Sequence, residues 1–97
     1  MRKTAADMKM EMGSFIEVYF EDKRKELKEN SIRNKQHMME KHIVPYFGTR
    51  KMNEITPADV IQWQNTIQEK DYSKTYERMI QNQLNALFNH AQKNLQS

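Results

Sequence analysis

The side chains that could do chemistry in this sequence are three histidines, four tyrosines, a spaced pair of glutamates, and lysines and arginines mixed with amides. Metal binding is the poorest fit. His37 and His42 stand five residues apart, about 140° around a helix, so they share no face. His90 is distant in sequence, and neither a cysteine nor a His-Glu-x-x-His pattern is present. No metal or other cofactor is expected. Tyr19, Tyr46, Tyr72 and Tyr76 each lack the cluster of basic groups that a nucleophilic tyrosine needs, and most read as core or turn residues. Glu17 and Glu21 share a helix face, yet neighbouring lysines make a solvated surface the simpler reading. The chemistry that remains is recognition of a polyanion, in which Lys and Arg neutralise phosphates while Asn, Gln, Ser and Thr contact phosphates or base edges.

Those polyanion-binding groups are not evenly spread. Residues 1–30 carry seven basic and seven acidic groups, whereas residues 31–52 carry five basic groups against Glu40 alone. Residues 53–72 are acidic, with Lys70 against four carboxylates, and residues 73–97 are basic again, with three cations against Glu77. The overall charge of +3 therefore conceals two basic segments separated by an acidic one. In the first, Ser31, Arg33, Asn34, Lys35 and Lys41 are the candidate contacts; in the second, Ser73, Lys74, Thr75, Arg78, Asn82 and Asn85. Of these cations Lys41, like Lys51 and Lys93 outside the set, reads as a peripheral electrostatic contact.

Positioning these groups requires helices. The chain has 97 residues, 37% of them hydrophobic, only two glycines and two prolines, and no run alternating with period two. One all-α domain is expected, too small for an enzyme with its own cofactor domain. No apolar run reaches the ~20 residues of a membrane span, and no apolar stretch follows the charged start as in a secretory signal. Residues 1–12 read as a flexible lead-in and 13–97 as the domain. Four helical segments are predicted. The first opens on a capping box, Ser14 to Glu17, carries Phe15, Ile16, Tyr19, Phe20 and Leu27, and ends near Lys28. The second is capped by Asn30 or Ser31, buries Ile32, Met39 and Ile43, and stops before Pro45, where Pro45–Gly48 form a turn. The third starts with Thr56 as cap, Pro57 first, Asp59 third, and Ile55 stapled to Val60; Val60, Ile61, Trp63 and Ile67 are its apolar side. The fourth runs from about Ser73 to Lys93 with a stripe of Tyr76, Ile80, Leu84, Leu87 and Ala91, widened by Phe88.

Several of these pieces fall in a recognisable order: the aromatics Phe15 to Phe20, Ser31-Ile32-Arg33, the turn His42-Ile43-Val44-Pro45-Tyr46-Phe47-Gly48, the helix start Ile55-Thr56-Pro57-Ala58-Asp59, and Leu84 to Ala91. The sequence resembles the N-terminal core-binding, SAM-like domain of phage-type integrases, the tyrosine recombinases. It departs from their pattern at Lys35, where an aromatic is usual. The resemblance implies a compact four-helix SAM-like bundle with short loops, whose second and fourth helices face double-stranded DNA at the core attachment site. It also implies a buried, hydrogen-bonding His42. Catalysis would belong to a separate domain absent from this chain, other recombinase protomers would be partners through the full-length protein, and an arm-binding domain would precede residue 1. The setting implied is the bacterial cytoplasm, with a prophage or mobile element as the source. No membrane or small-molecule partner is expected. A helical protein-interaction module, using the acidic third segment around Glu54, Asp59 and Glu69, is the alternative reading.

Overall fold

Thr56 begins the helix whose start signal is clearest. A computed structural model describes residues 8–94. In it the Thr56 hydroxyl accepts from the Asp59 amide at 3.1 Å, and the Asp59 carboxylate accepts from the Thr56 amide at 3.0 Å. This reciprocal box satisfies two donors that a helix start otherwise leaves open. It opens one of five helices, α1 (Met12–Lys23), α2 (Glu29–His42), α3 (Val44–Phe47), α4 (Pro57–Gln68) and α5 (Lys74–Asn94), with a 3₁₀ turn at Met52–Glu54. The fold is all-α, as expected; the one bridge among the described residues pairs Glu11 with Lys51.

That bridge corrects the first helix start. Ser14 does not cap α1, which begins at Met12 with Glu11 at the N-cap position and no side-chain cap. The open amides are satisfied by backbone instead, Met12 N–H donating to the Arg50 carbonyl and Gly13 N–H to the Gly48 carbonyl, both at 2.9 Å. Residues 8–12 are therefore not a free lead-in. Met52 N–H donates to the Met10 carbonyl, Asn53 N–H donates to the Met8 carbonyl, and Met12 is fully buried. The rest of the predicted lead-in, residues 1–7, lies outside the described residues.

The connection between α1 and α2 is also shifted. α1 stops at Lys23, whose carbonyl accepts from the amides of Glu26 and Leu27 in a tight turn. Leu27 packs on the core, and α2 starts at Glu29 with Lys28 at the N-cap, so neither Asn30 nor Ser31 is its cap. Leu27 and Ile32 stand at the two positions of a hydrophobic staple around this start, Leu27 packed against the core and Ile32 buried in it. After His42 the chain turns directly into α3, with Pro45 near its start, so the predicted turn is a single helical turn that buries Phe47.

α5 packs against α1, α2 and α4 and is the spine of the molecule. Its stripe of Ile80, Leu84, Leu87 and Ala91 is buried as predicted, with Phe88 only half-buried. Trp63 and Ile67 of α4 are buried against this core, and the Trp63 indole N–H donates to the His42 carbonyl at 2.8 Å, tying α4 to the end of α2. Ile61 is not part of the apolar side. It stands about 160° around the helix from Trp63 and is 56% exposed.

Candidate nucleic-acid interface

The two basic helices lie side by side. Lys35 Nζ of α2 donates to Gln83 Oε1 of α5 at 3.3 Å, and a 2.8 Å hydrogen bond joins His42 Nε2 of α2 to the Tyr76 hydroxyl of α5. A step of seven forward on α2 matches a step of seven back on α5, so the pair is antiparallel. At about 100° per residue, Ser31, Asn34 and Lys41 form one stripe on the outer flank of α2, and Thr75, Arg78, Asn82 and Asn89 form the outward ridge of α5. All seven are exposed. With both helices burying their apolar sides in one core, these two stripes bound one outer face along the α2/α5 seam.

Which groups are available on that face depends on their partners. Among the described residues, Ser31, Asn34, Lys41, Thr75, Arg78 and Asn82 have no side-chain hydrogen bond or ion pair. Other candidates are committed elsewhere. Lys35 is half-buried against Gln83, and burial first, then nearby Lys23, pulls its ammonium below the ordinary lysine range. The Ser73 hydroxyl accepts from the Tyr76 amide at 3.1 Å and so caps α5. Asn85 belongs to an amide chain in which Gln64 donates to Gln81 at 2.8 Å and Gln81 donates to Asn85 at 2.9 Å. Lys74 and Arg78 border a cleft of about 370 Å³ between α4 and α5, floored by Trp63, Ile67 and Ile80.

Arg33 is set apart from the seam. It shares its stripe of α2 with Gln36 and Glu40, and those two line a second cleft, of about 270 Å³, with Glu17, Glu21 and Arg24 of the α1 side. The glutamate pair thus edges an acidic groove on the other flank of α2. The acidic third segment is equally divided, because Asp59 is spent. Its carboxylate is held below the usual range chiefly by the Thr56 backbone amide and hydroxyl, and it pairs with Arg50 at 3.2 Å.

His42 is a buried hydrogen-bonding residue, as the resemblance implies. Its ring meets Tyr72 and Tyr76 edge-on, each at 5.4 Å between centroids. Burial first, then Lys41, His37 and Lys70, holds its imidazole below the ordinary histidine value. The last cause identifies a residue the sequence reading overlooked. Lys70 counts there only as one cation within an acidic block, but it stands just after α4 and two residues before Tyr72, whose ring packs on His42. The signal in the sequence was its place just ahead of the basic start of α5. His90 serves as a strut. Its Nε2 contacts the Asp22 carboxylate at 2.8 Å, and its ring packs on Tyr19 and Phe15. No group of three or more His, Asp or Glu among the described residues could hold a metal ion, and no helix is long and apolar enough to cross a membrane.

Compared with known families, residues 12–68 match the phage integrase N-terminal SAM-like domain. The match begins with the first residue of α1 and ends with the last of α4, leaving α5 outside it. No curated protein and no solved structure matches the chain.

Proposed function

The chain belongs to the family of phage integrase N-terminal SAM-like domains, and from that premise we propose that it grips double-stranded DNA at the core attachment site of a tyrosine recombinase. The observation that supports this reading is the α2/α5 face, where Lys41, Arg78, Asn34 and Asn82 stand exposed and uncommitted, in contrast to Arg50, which is paired with Asp59, and Lys35, which is bonded to Gln83. Lys41 and Arg78, with Lys74 and Arg33 at the flanks, neutralise phosphates; Asn82 and Asn34 are the groups suited to base edges. The domain supplies grip and register. The strand chemistry belongs to a separate domain of the parent recombinase, whose protomers are its protein partners, acting in the bacterial cytoplasm on prophage or mobile-element DNA.

The test is a titration with duplex DNA followed by backbone amide shifts. Shifts concentrated in residues 31–41 and 73–89 are expected. With about four phosphate contacts, affinity falls roughly 10²-fold between 50 and 200 mM salt, and the isolated domain binds in the ~10⁻⁴–10⁻⁶ M range of sequence-independent binding. Absence of shifts at low salt overturns the reading.

A further inference from the structure

Between α4 and α5 the chain passes through Glu69, Lys70, Asp71 and Tyr72, a stretch that neither the family match nor the two-helix face includes. The loop has a defined shape. The amides of Lys70 and Asp71 donate to the carbonyls of Ile67 and Gln68, both at 3.1 Å, winding the end of α4 tightly. Asp71 then adopts φ 60°, the one positive φ at a non-glycine position among the described residues. Aspartate tolerates that region better than most side chains do, and a single residue there reverses the chain. Lys70 and Tyr72 flank it.

Tyr72 is held rigidly by its ring. It lies 4.8 Å from Tyr76 and 5.4 Å from His42, tilted against both. The two tyrosine hydroxyls differ in use. That of Tyr76 is bound to His42, whereas that of Tyr72 has no hydrogen-bond partner among the described residues. Lys70 is exposed and forms no ion pair among the described residues, although Glu69 and Asp71 are its neighbours in sequence. Lys41 arrives from the end of α2 at the same imidazole. Lys41 is next to His42 in the chain and Lys70 is two residues before Tyr72, so two ammonium groups without a carboxylate partner among the described residues flank the place where the Tyr72 ring packs on His42. Three donors with no acceptor of their own suit a phosphodiester oxygen.

We propose that the α4–α5 loop is a third DNA contact, in which Lys70 and the Tyr72 hydroxyl, with Lys41, hold a backbone phosphate at the end of the α2/α5 face. The proposal rests on the DNA-binding reading above. Such a contact carries no sequence information and fixes how far along the duplex α5 is placed.

The experiment measures affinity for one duplex at several salt concentrations, using the chain as it is, Lys70→Gln and Tyr72→Phe. Lys70→Gln is expected to lower the slope of log affinity against log salt by about 0.9, and to weaken binding equally for unrelated sequences. Tyr72→Phe keeps the ring contacts and loses the hydroxyl. It is expected to weaken binding at low salt about threefold or more, with the slope unchanged, since a neutral donor releases no counterion. Thermal unfolding of both variants should match that of the parent chain. If the parent chain binds with a steep salt dependence and both variants bind identically to it, the loop proposal is wrong and the two-helix reading stands. If the parent chain shows no salt-dependent binding, both fall together.

Discussion

Arg50 and Arg78 bring the same guanidinium to opposite kinds of place. Arg50 pairs with Asp59 at 3.2 Å and lies over the rings of Tyr46 and Phe47, 5.4 and 5.8 Å from their centroids. It links α3 to the start of α4, and its carbonyl also receives the first amide of α1. Arg78 stands exposed on the outward ridge of α5 with no such partner among the described residues. One corner of the molecule uses Arg50 to hold elements together, and the outer ridges of α2 and α5 leave Lys41 and Arg78 unpaired among the described residues. Charge counted along a sequence weighs the two equally. The fold shows that availability is decided by whether a carboxylate, an amide or an aromatic ring is brought within reach.

The largest effects should come from changes that ruin both regions at once. Leu84 is fully buried on the spine helix, and Leu84→Ala should cost about 2–5 kcal/mol by urea unfolding, a large part of the stability of a domain this size. Phe88→Ala, at a half-buried site, should cost less. Gly48→Ala attacks the structural corner. A Cβ there would stand 2.6 Å from the Val44 carbonyl oxygen and 3.0 Å from a Val44 methyl. Backbone must move to admit it, so about 1–3 kcal/mol of destabilisation is expected, with affinity for DNA per folded molecule retained. Loss of affinity in the folded fraction would show that the corner and the face are coupled.

The two arginines test the comparison directly. Arg50→Ala should lower stability by about 1 kcal/mol, discounted for its partly exposed setting, and leave DNA affinity unchanged. Arg78→Ala should do the converse. Thermal unfolding is unaffected, while DNA affinity drops about threefold or more at moderate salt and the salt slope falls by about 0.9. Arg33→Ala should have the smaller effect on binding, because Arg33 shares its stripe with Gln36 and Glu40 of the acidic groove. If Arg33→Ala weakens binding more than Arg78→Ala, the interface follows the other flank of α2.

Much of the architecture was legible because it depends on local signals. The Thr56 box and the Ile80–Ala91 stripe each follow from residues close together in sequence. What was misread depends on contacts far apart. Ser14 looks like a cap only while the carbonyls of Gly48 and Arg50 are out of view, and residues 8–12 look loose only until the 48–53 segment accepts and donates its backbone bonds. The candidate site was legible as composition, not as availability. Lys35 lies on α2, Asn85 on α5 and Ser73 just ahead of α5, but Gln83, the Tyr76 amide and Gln81 engage them. Lys70 was hidden by averaging over an acidic block. The family match does not repair this, since it ends before α5, where half of the face resides.

The smallest effect concerns His42, where core and face meet. Its backbone carbonyl holds Trp63, its ring is bonded to Tyr76, and Lys41, His37 and Lys70 act on it electrostatically. Burial and those cations keep its folded value below the unfolded one of about 6.5. Well above pH 6.5 both states leave the ring neutral and the shift has no effect on stability. As pH falls below that, the unfolded chain takes up a proton that the folded chain refuses, so stability declines until the lowered folded value is passed, and then the loss levels off. His42→Gln retains a side chain able to meet the Tyr76 hydroxyl and removes the titration. Urea midpoints measured from pH 7.5 to 5 should therefore fall less steeply for the variant than for the parent. His37 and His90 remain in both, so the difference between the two slopes belongs to His42. Parallel slopes would mean that the seam end neither excludes the proton nor concentrates positive charge, and the contrast between spent and unspent cations would lose its support at that end.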